Sequence, residues 1–168
     1  MVYNVKVGKL ECEMISMGME NIQSSNDAFL SVTDKKHAKK IEKIVAQGIY
    51  YGYIKLLIDG EERFKRYHVQ IIAAQWLRYI ELFEQFYETG HVQAEVPSFI
   101  EVKRIDDETL TFQIRDTLFV FPYVQFIEQF IHDALEYFTY HQQVTNDGMY
   151  EDIVTYLEQW QAKLYVTE

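Results

Sequence analysis

Glu128, His132 and Glu136 are the side chains whose types and spacing come nearest to chemistry in this chain. They stand at i, i+4 and i+8, which a helix places on one face, about 40° apart at each step. Imidazole with carboxylates can hold a divalent ion. The three lie opposite the apolar stripe of their helix, so they are expected to be wet and open. One helix also offers its ligands along a line, whereas a metal needs them to converge. We therefore expect no metal and no cofactor here, only carboxylates holding a protonated imidazole.

The other reactive types read as structural. Cys12 lies in a strand-like run between Glu11 and Glu13, and neighbouring carboxylates raise a thiol's pKa and blunt it as a nucleophile. His141 projects to the centre of the apolar face in the last turn of its helix and reads as a packed histidine. Phosphate-cradling glycine loops, a G-x-S-x-G elbow and a His-Glu-x-x-His pair are all absent from the sequence. With no catalytic motif, the reading leans away from an enzyme.

Charge carries more information. The chain has a net charge of -10, and residues 91–168 hold all of it, with 14 acids against four bases. An acidic face repels nucleic acid and attracts basic partners. Lys35, Lys36, Lys39, Lys40 and Lys43 form a stripe about 140° wide on an early helix, which could grip phosphates. No arginine or aromatic residue interleaves there, and the acidic remainder opposes it, so no nucleic-acid binding is expected. The stripe reads as a solvated face, with the acidic half of another copy, and so a homo-oligomer, as its second use. Tyrosine is abundant, 13 residues, and suits interfaces with one apolar and one wet edge. The acidic, Tyr-bearing surface is assigned to Glu128, Asp133, Glu136, Tyr140, Glu151, Asp152 and Glu158.

The elements that must position these groups follow from periodicity. Residues 2–7 and 10–15 each alternate by two around Gly8-Lys9 and read as a hairpin. Residues 16–33 read as a loop, and Ser31 with Asp34 as a capping box for a helix from Asp34 to Gln47, stopped by Gly48. Residues 49–58 are rich in β-formers and Asp59-Gly60 follows, so a hairpin to about 68 is preferred over a helix from Gly60 to Glu88. From Val69 the stripe Ile72, Ala73, Trp76, Tyr79, Ile80, Phe83 and Tyr87 marks a helix. Phe99 to Phe121 reads as a three-stranded meander, with Leu118 to Phe121 buried on both faces. Residues 123–142 and 149–164 read as an antiparallel pair of amphipathic helices.

The order predicts an α+β domain: a largely antiparallel sheet built from hairpins and a meander, with about four helices on one face. The length of 168 residues suits one domain, 1–168. No apolar run reaches the roughly 18 residues of a membrane span, and Met1 to Lys6 lacks a secretory signal's basic start and apolar stretch. The single cysteine forms no internal disulfide. Together these place the protein in the cytoplasm and off the membrane. The expected function is a non-enzymatic domain that binds a basic protein, with an immunity or antitoxin role as its most concrete version. The alternative is a small ligand-binding or enzymatic domain with an aromatic-lined pocket. A deep apolar cavity would favour the second, a flat acidic patch the first.

Overall fold

Both alternating runs at the start of the chain become strands, but they go to different sheets. β1 (Val2–Asn4) lies parallel to the strand around Leu118, and β2 (Gly8–Ile15) runs antiparallel to the strand around Ile54. The expected hairpin through Gly8-Lys9 is thus replaced by a crossing between sheets. Gly8 serves a close approach rather than a turn: a Cβ there would stand 3.1 Å from the Phe121 ring. The structure is a computed structural model and describes residues 2–5, 7–15, 29–32, 34–63, 70–95 and 99–166.

β3 (Phe29–Ser31) pairs with Glu13–Ile15 at the end of β2, where a loop was expected. The rest of that expected loop, 16–28, lies outside the described residues. A 3-10 turn, Lys35–His37, leads into α1 (Ala38–Val45). The turn is capped by Asp34, whose Oδ1 accepts the Lys36 N–H at 2.9 Å, and Ser31, expected to open the helix with Asp34, lies at the end of β3. Gly48 ends the segment at φ 84°.

β4 (Tyr51–Ile58) turns through Asp59 and Gly60 into β5 (Glu61–Glu62). Their φ values of 54° and 80° are the two left-handed positions that a type I′ turn requires. The hairpin therefore forms and the helix starting at Gly60 does not; the expected strand residues 64–68 lie outside the described residues. β6 (Gln70–Ile71) returns to Tyr51 and Gly52 of β4. α2 (Ile72–Thr89) buries most of the expected stripe, with Phe86 beside it.

β7 (His91–Ala94) is a strand that the periodicity did not reveal. β8 (Ile100–Arg104), β9 (Thr109–Ile114) and β10 (Thr117–Pro122) form the meander. Phe119 and Phe121 are buried but Leu118 and Val120 only half so, which gives β10 one core face instead of two. The chain closes with α3 (Tyr123–Thr145) and α4 (Glu151–Lys163), which pack on each other. Met149 precedes α4 and is exposed, while Leu157 and Trp160 carry its buried side.

The result is an α+β fold with two mostly antiparallel sheets, in the orders β1-β10-β9-β8-β7 and β3-β2-β4-β5, with β6 on β4. α2 touches β4 and β7, and α3 touches β2 and β10, so these two helices join the sheets. Phenylalanines fill the junction: the rings of Phe83 and Phe130 lie 4.6 Å apart, and those of Phe121 and Phe126 4.9 Å. Such aromatic contacts add to the burial of large side chains.

Gly52 is held between β2 and β6 under Ile72. A Cβ there would collide with the Glu13 carbonyl and come within 2.9 Å of Met14 Cα. Backbone cannot yield as a flexible side chain can. Gly52→Ala is expected to cost about 3 kcal/mol, a fall of about 10 °C in melting temperature for a chain of this length. A melting curve superimposable on the wild type would refute that crowding.

Candidate functional site

The site begins with an uncovered strand edge. β4 covers one edge of β2 from Gly8 to Met14, whereas β3 covers the other only at Glu13–Ile15, extended by the Val32 N–H, which donates to the Cys12 carbonyl at 3.0 Å. The open edge near Leu10 must find other partners, because a buried N–H without one is costly. Asp133 of α3 supplies the partner: its Oδ2 accepts the Leu10 N–H at 2.9 Å.

Where α1 and α3 cover this edge they leave a cavity of about 270 Å³. Leu10 and Cys12 of β2, Val32, Ala38 at the start of α1, and Trp76 of α2 form its apolar wall. α3 contributes Asp133, Glu136, Tyr137 and Tyr140, a stripe at i, i+3, i+4 and i+7. Lys9, Glu11, Asp34 and Lys35 complete the lining. Lys9 Nζ pairs with Glu11 Oε1 at 3.2 Å, and Asp34 Oδ2 meets His37 Nδ1 at 2.9 Å.

The groups in this cavity are set for binding more than for reaction. Burial pushes the Cys12 thiol far up, opposed by the Trp76 indole N–H that donates to its sulfur and reinforced by Asp133, Glu11 and Glu136. It stays a neutral thiol, in line with the structural reading of Cys12. Asp133 is only 4% exposed, and burial lifts its pKa from 3.8 to about 6, against the pull of the Leu10 N–H and the Gln129 amide. Gln129 Nε2 donates to Oδ1 at 2.9 Å, so both carboxyl oxygens are already engaged.

Behind the cavity lies a buried polar chain. The hydroxyls of Tyr50 and Tyr137 are 2.5 Å apart, and Tyr50 also meets His141 Nδ1 at 2.9 Å. Burial lowers the pKa of His141 and raises that of both tyrosines, so all three are favoured in their neutral forms. His141 is a packed histidine, as expected, although its ring reaches a tyrosine hydroxyl and not a carbonyl.

The expected acidic surface divides in two. Asp133, Glu136 and Tyr140 belong to the cavity, and Asp133 is buried rather than wet, because the open β2 edge needs an acceptor. Glu151, Asp152 and Glu158 are exposed on α4. Glu128 is half-buried, and the Tyr165 hydroxyl hydrogen-bonds to it. The linear set Glu128, His132 and Glu136 gives way to His132, Asp133 and Glu136, whose nearest ligand atoms lie within 4.8 Å of one another. His132 and Glu136 side chains are 64% and 51% exposed, and Asp133 is already spent on hydrogen bonds. The five lysines of the α1 stripe and the turn before it are exposed, with Lys35 at the cavity. Sequence reasoning missed Trp76, Cys12, Val32 and Ala38 as lining residues; the mixed aromatic and acidic stripe on α3 was the available signal.

Comparison with models of known protein families, with curated proteins and with solved structures found no match to this chain.

The position of Asp133 has a pH signature. Its carboxyl titrates near 3.8 when unfolded and about 6 when folded, so the folded state holds the proton more tightly. The stability from that proton is full below the unfolded value and is lost as pH rises through about 6. Two units correspond to about 3 kcal/mol. Asp133→Asn keeps an acceptor for the Leu10 N–H without the charge. Urea unfolding between pH 4 and 7 should show a flatter slope than wild type, with the variant at least as stable at pH 8. An unchanged slope would show that the carboxyl is not desolvated as described.

Proposed function

We propose that this protein is a binding domain for a small, largely apolar or aromatic ligand, held in the cavity between β2, the start of α1 and α3. The cavity itself carries this reading. Its volume of about 270 Å³ is close to the lower end of ligand sites, about 300 Å³, and suits a single aromatic ring with a short substituent. Trp76, Tyr137 and Tyr140 line it with aromatic rings, while a few carboxyl and ammonium groups stand where they can orient a polar end. The lining thiol and tyrosines favour their neutral, unreactive forms, which supports binding over catalysis.

A second reading rests on α4. Glu151, Asp152 and Glu158 are exposed, and no base among the described residues pairs with them. Such a face suits a basic protein partner, as an inhibitor of the immunity or antitoxin kind would need. Changing Glu151, Asp152 and Glu158 to Lys should then slow association with a captured basic partner several-fold at low salt, while the fold loses about 1 kcal/mol. Equal rates for mutant and wild type would reduce that face to a solubilising one.

The cavity reading is tested with its own reporter. The chain has two tryptophans, so Trp160→Phe leaves Trp76 as the sole indole. Small aromatic compounds should then change its emission in a saturable way. Ala38 lies exposed at the cavity, and Ala38→Phe should fill the entrance. Affinity should fall at least 10-fold with a melting temperature within about 2 °C of its parent. Emission unmoved by every compound, or titrations identical in the Ala38→Phe background, would overturn the reading.

A further inference from the structure

We propose that this cavity selects a ligand with a protonated amine on a small apolar or aromatic body, the ammonium being taken by Glu136, with the buried carboxylate of Asp133 adding its charge from behind, beside the Tyr137 and Tyr140 rings. The inference rests on the ligand-binding reading above and adds the chemical class of the ligand.

Charge balance is the first support. Four carboxylates and two ammonium groups line the cavity. Lys9 is held by Glu11 at 3.2 Å, which neutralises both. Asp34 is held by His37 at 2.9 Å and by the Lys36 N–H at 2.9 Å. On α3, Asp133 receives only neutral donors, the Leu10 N–H and the Gln129 amide. Glu136 faces His132 Nε2 at 4.0 Å. Lys35, the second lining ammonium, belongs with Asp34 to the turn before α1, and Lys9 and His132 offset the α3 carboxylates only in part; the excess of two carboxylates over ammonium groups therefore falls on the α3 side.

The field reaches inward. Asp133, Glu11 and Glu136 all act on the Cys12 thiol from the same direction of charge, although that sulfur is fully buried against Trp76. A cation entering between Cys12 and α3 would meet that negative potential in a partly desolvated site, where it counts for more than in water.

Geometry supplies the second support. Asp133 and Glu136 are followed along the same stripe of α3 by Tyr137 and Tyr140, so the acids and the aromatic rings line the cavity from one helix. Aromatic faces attract ammonium groups and also accept an apolar ring. An anion would be repelled by both. A neutral isostere would keep the apolar contacts alone.

The test uses three compounds of nearly equal shape: 2-phenylethylamine, 2-phenylethanol and phenylacetate. Each is titrated into the Trp160→Phe protein at pH 7.5 and followed by Trp76 emission. The amine should bind at least 10-fold more tightly than the alcohol, and phenylacetate more weakly than either. Glu136→Gln, at an exposed position, should reduce the amine's advantage about 5-fold and leave the alcohol's affinity unchanged. Asp133→Asn is the second variant and should act in the same direction. If amine and alcohol bind alike, or if phenylacetate binds best, charge selection is overturned while the cavity remains a ligand site. If none of the three moves Trp76, both readings fall together.

Discussion

Helix α3 is enclosed by β2, β10, α1 and α4, and a helix enclosed on so many sides must find a partner for every polar atom it buries. Ten of its residues are buried, among them Asp133 and His141. Neither is tolerable alone. Asp133 is satisfied by a strand edge, and His141 by the hydroxyl of Tyr50. These two attachments fix α3 against the second sheet, while Phe126 and Phe130 fix it against the aromatic cluster. The remaining elements take their places around that helix.

The cavity is a by-product of the same requirement. A longer β3 would have paired the whole outer edge of β2 and left no opening for α3 to fill. Because the backbone pairing on that side stops at Val32 and Cys12, a helix does the work of a strand at Leu10, and a cylinder does not fit an edge as closely as a neighbouring strand does. The gap falls where side chains of β2, α1, α2 and α3 meet, which explains its mixed lining. Glu13 is a second buried carboxylate of this region, satisfied from the paired strand β4 by the Tyr53 hydroxyl at 2.8 Å and the Lys55 ammonium at 3.0 Å.

Much of this was legible in the residues. The α+β class, the core stripes of α2, α3 and α4, the meander and the Asp59-Gly60 turn all rest on local periodicity or on turn chemistry, which a sequence shows directly. The division into two sheets was not legible, because Val2 chooses Leu118 over its nearest alternating neighbour. Nothing local in residues 2–15 separates a hairpin from a crossing, and the Phe121 ring against Gly8 decides it from far along the chain. Asp133 is a different case. It follows Phe126 by seven residues and so lies within about 20° of it on the helix. Its position points to the core, while its charge points outward. The need for an acceptor at Leu10 resolves that conflict.

The parallel pairing of β1 with β10 also orders events on the ribosome. At about 5–20 residues per second, roughly 6 to 23 s separate the synthesis of Val2 from that of its partner Leu118. β2 and β4 can close once Ile58 has emerged, because their register needs nothing further downstream. β1 is therefore docked only after the chain has been made as far as β10, long after β2 and β4 can have paired.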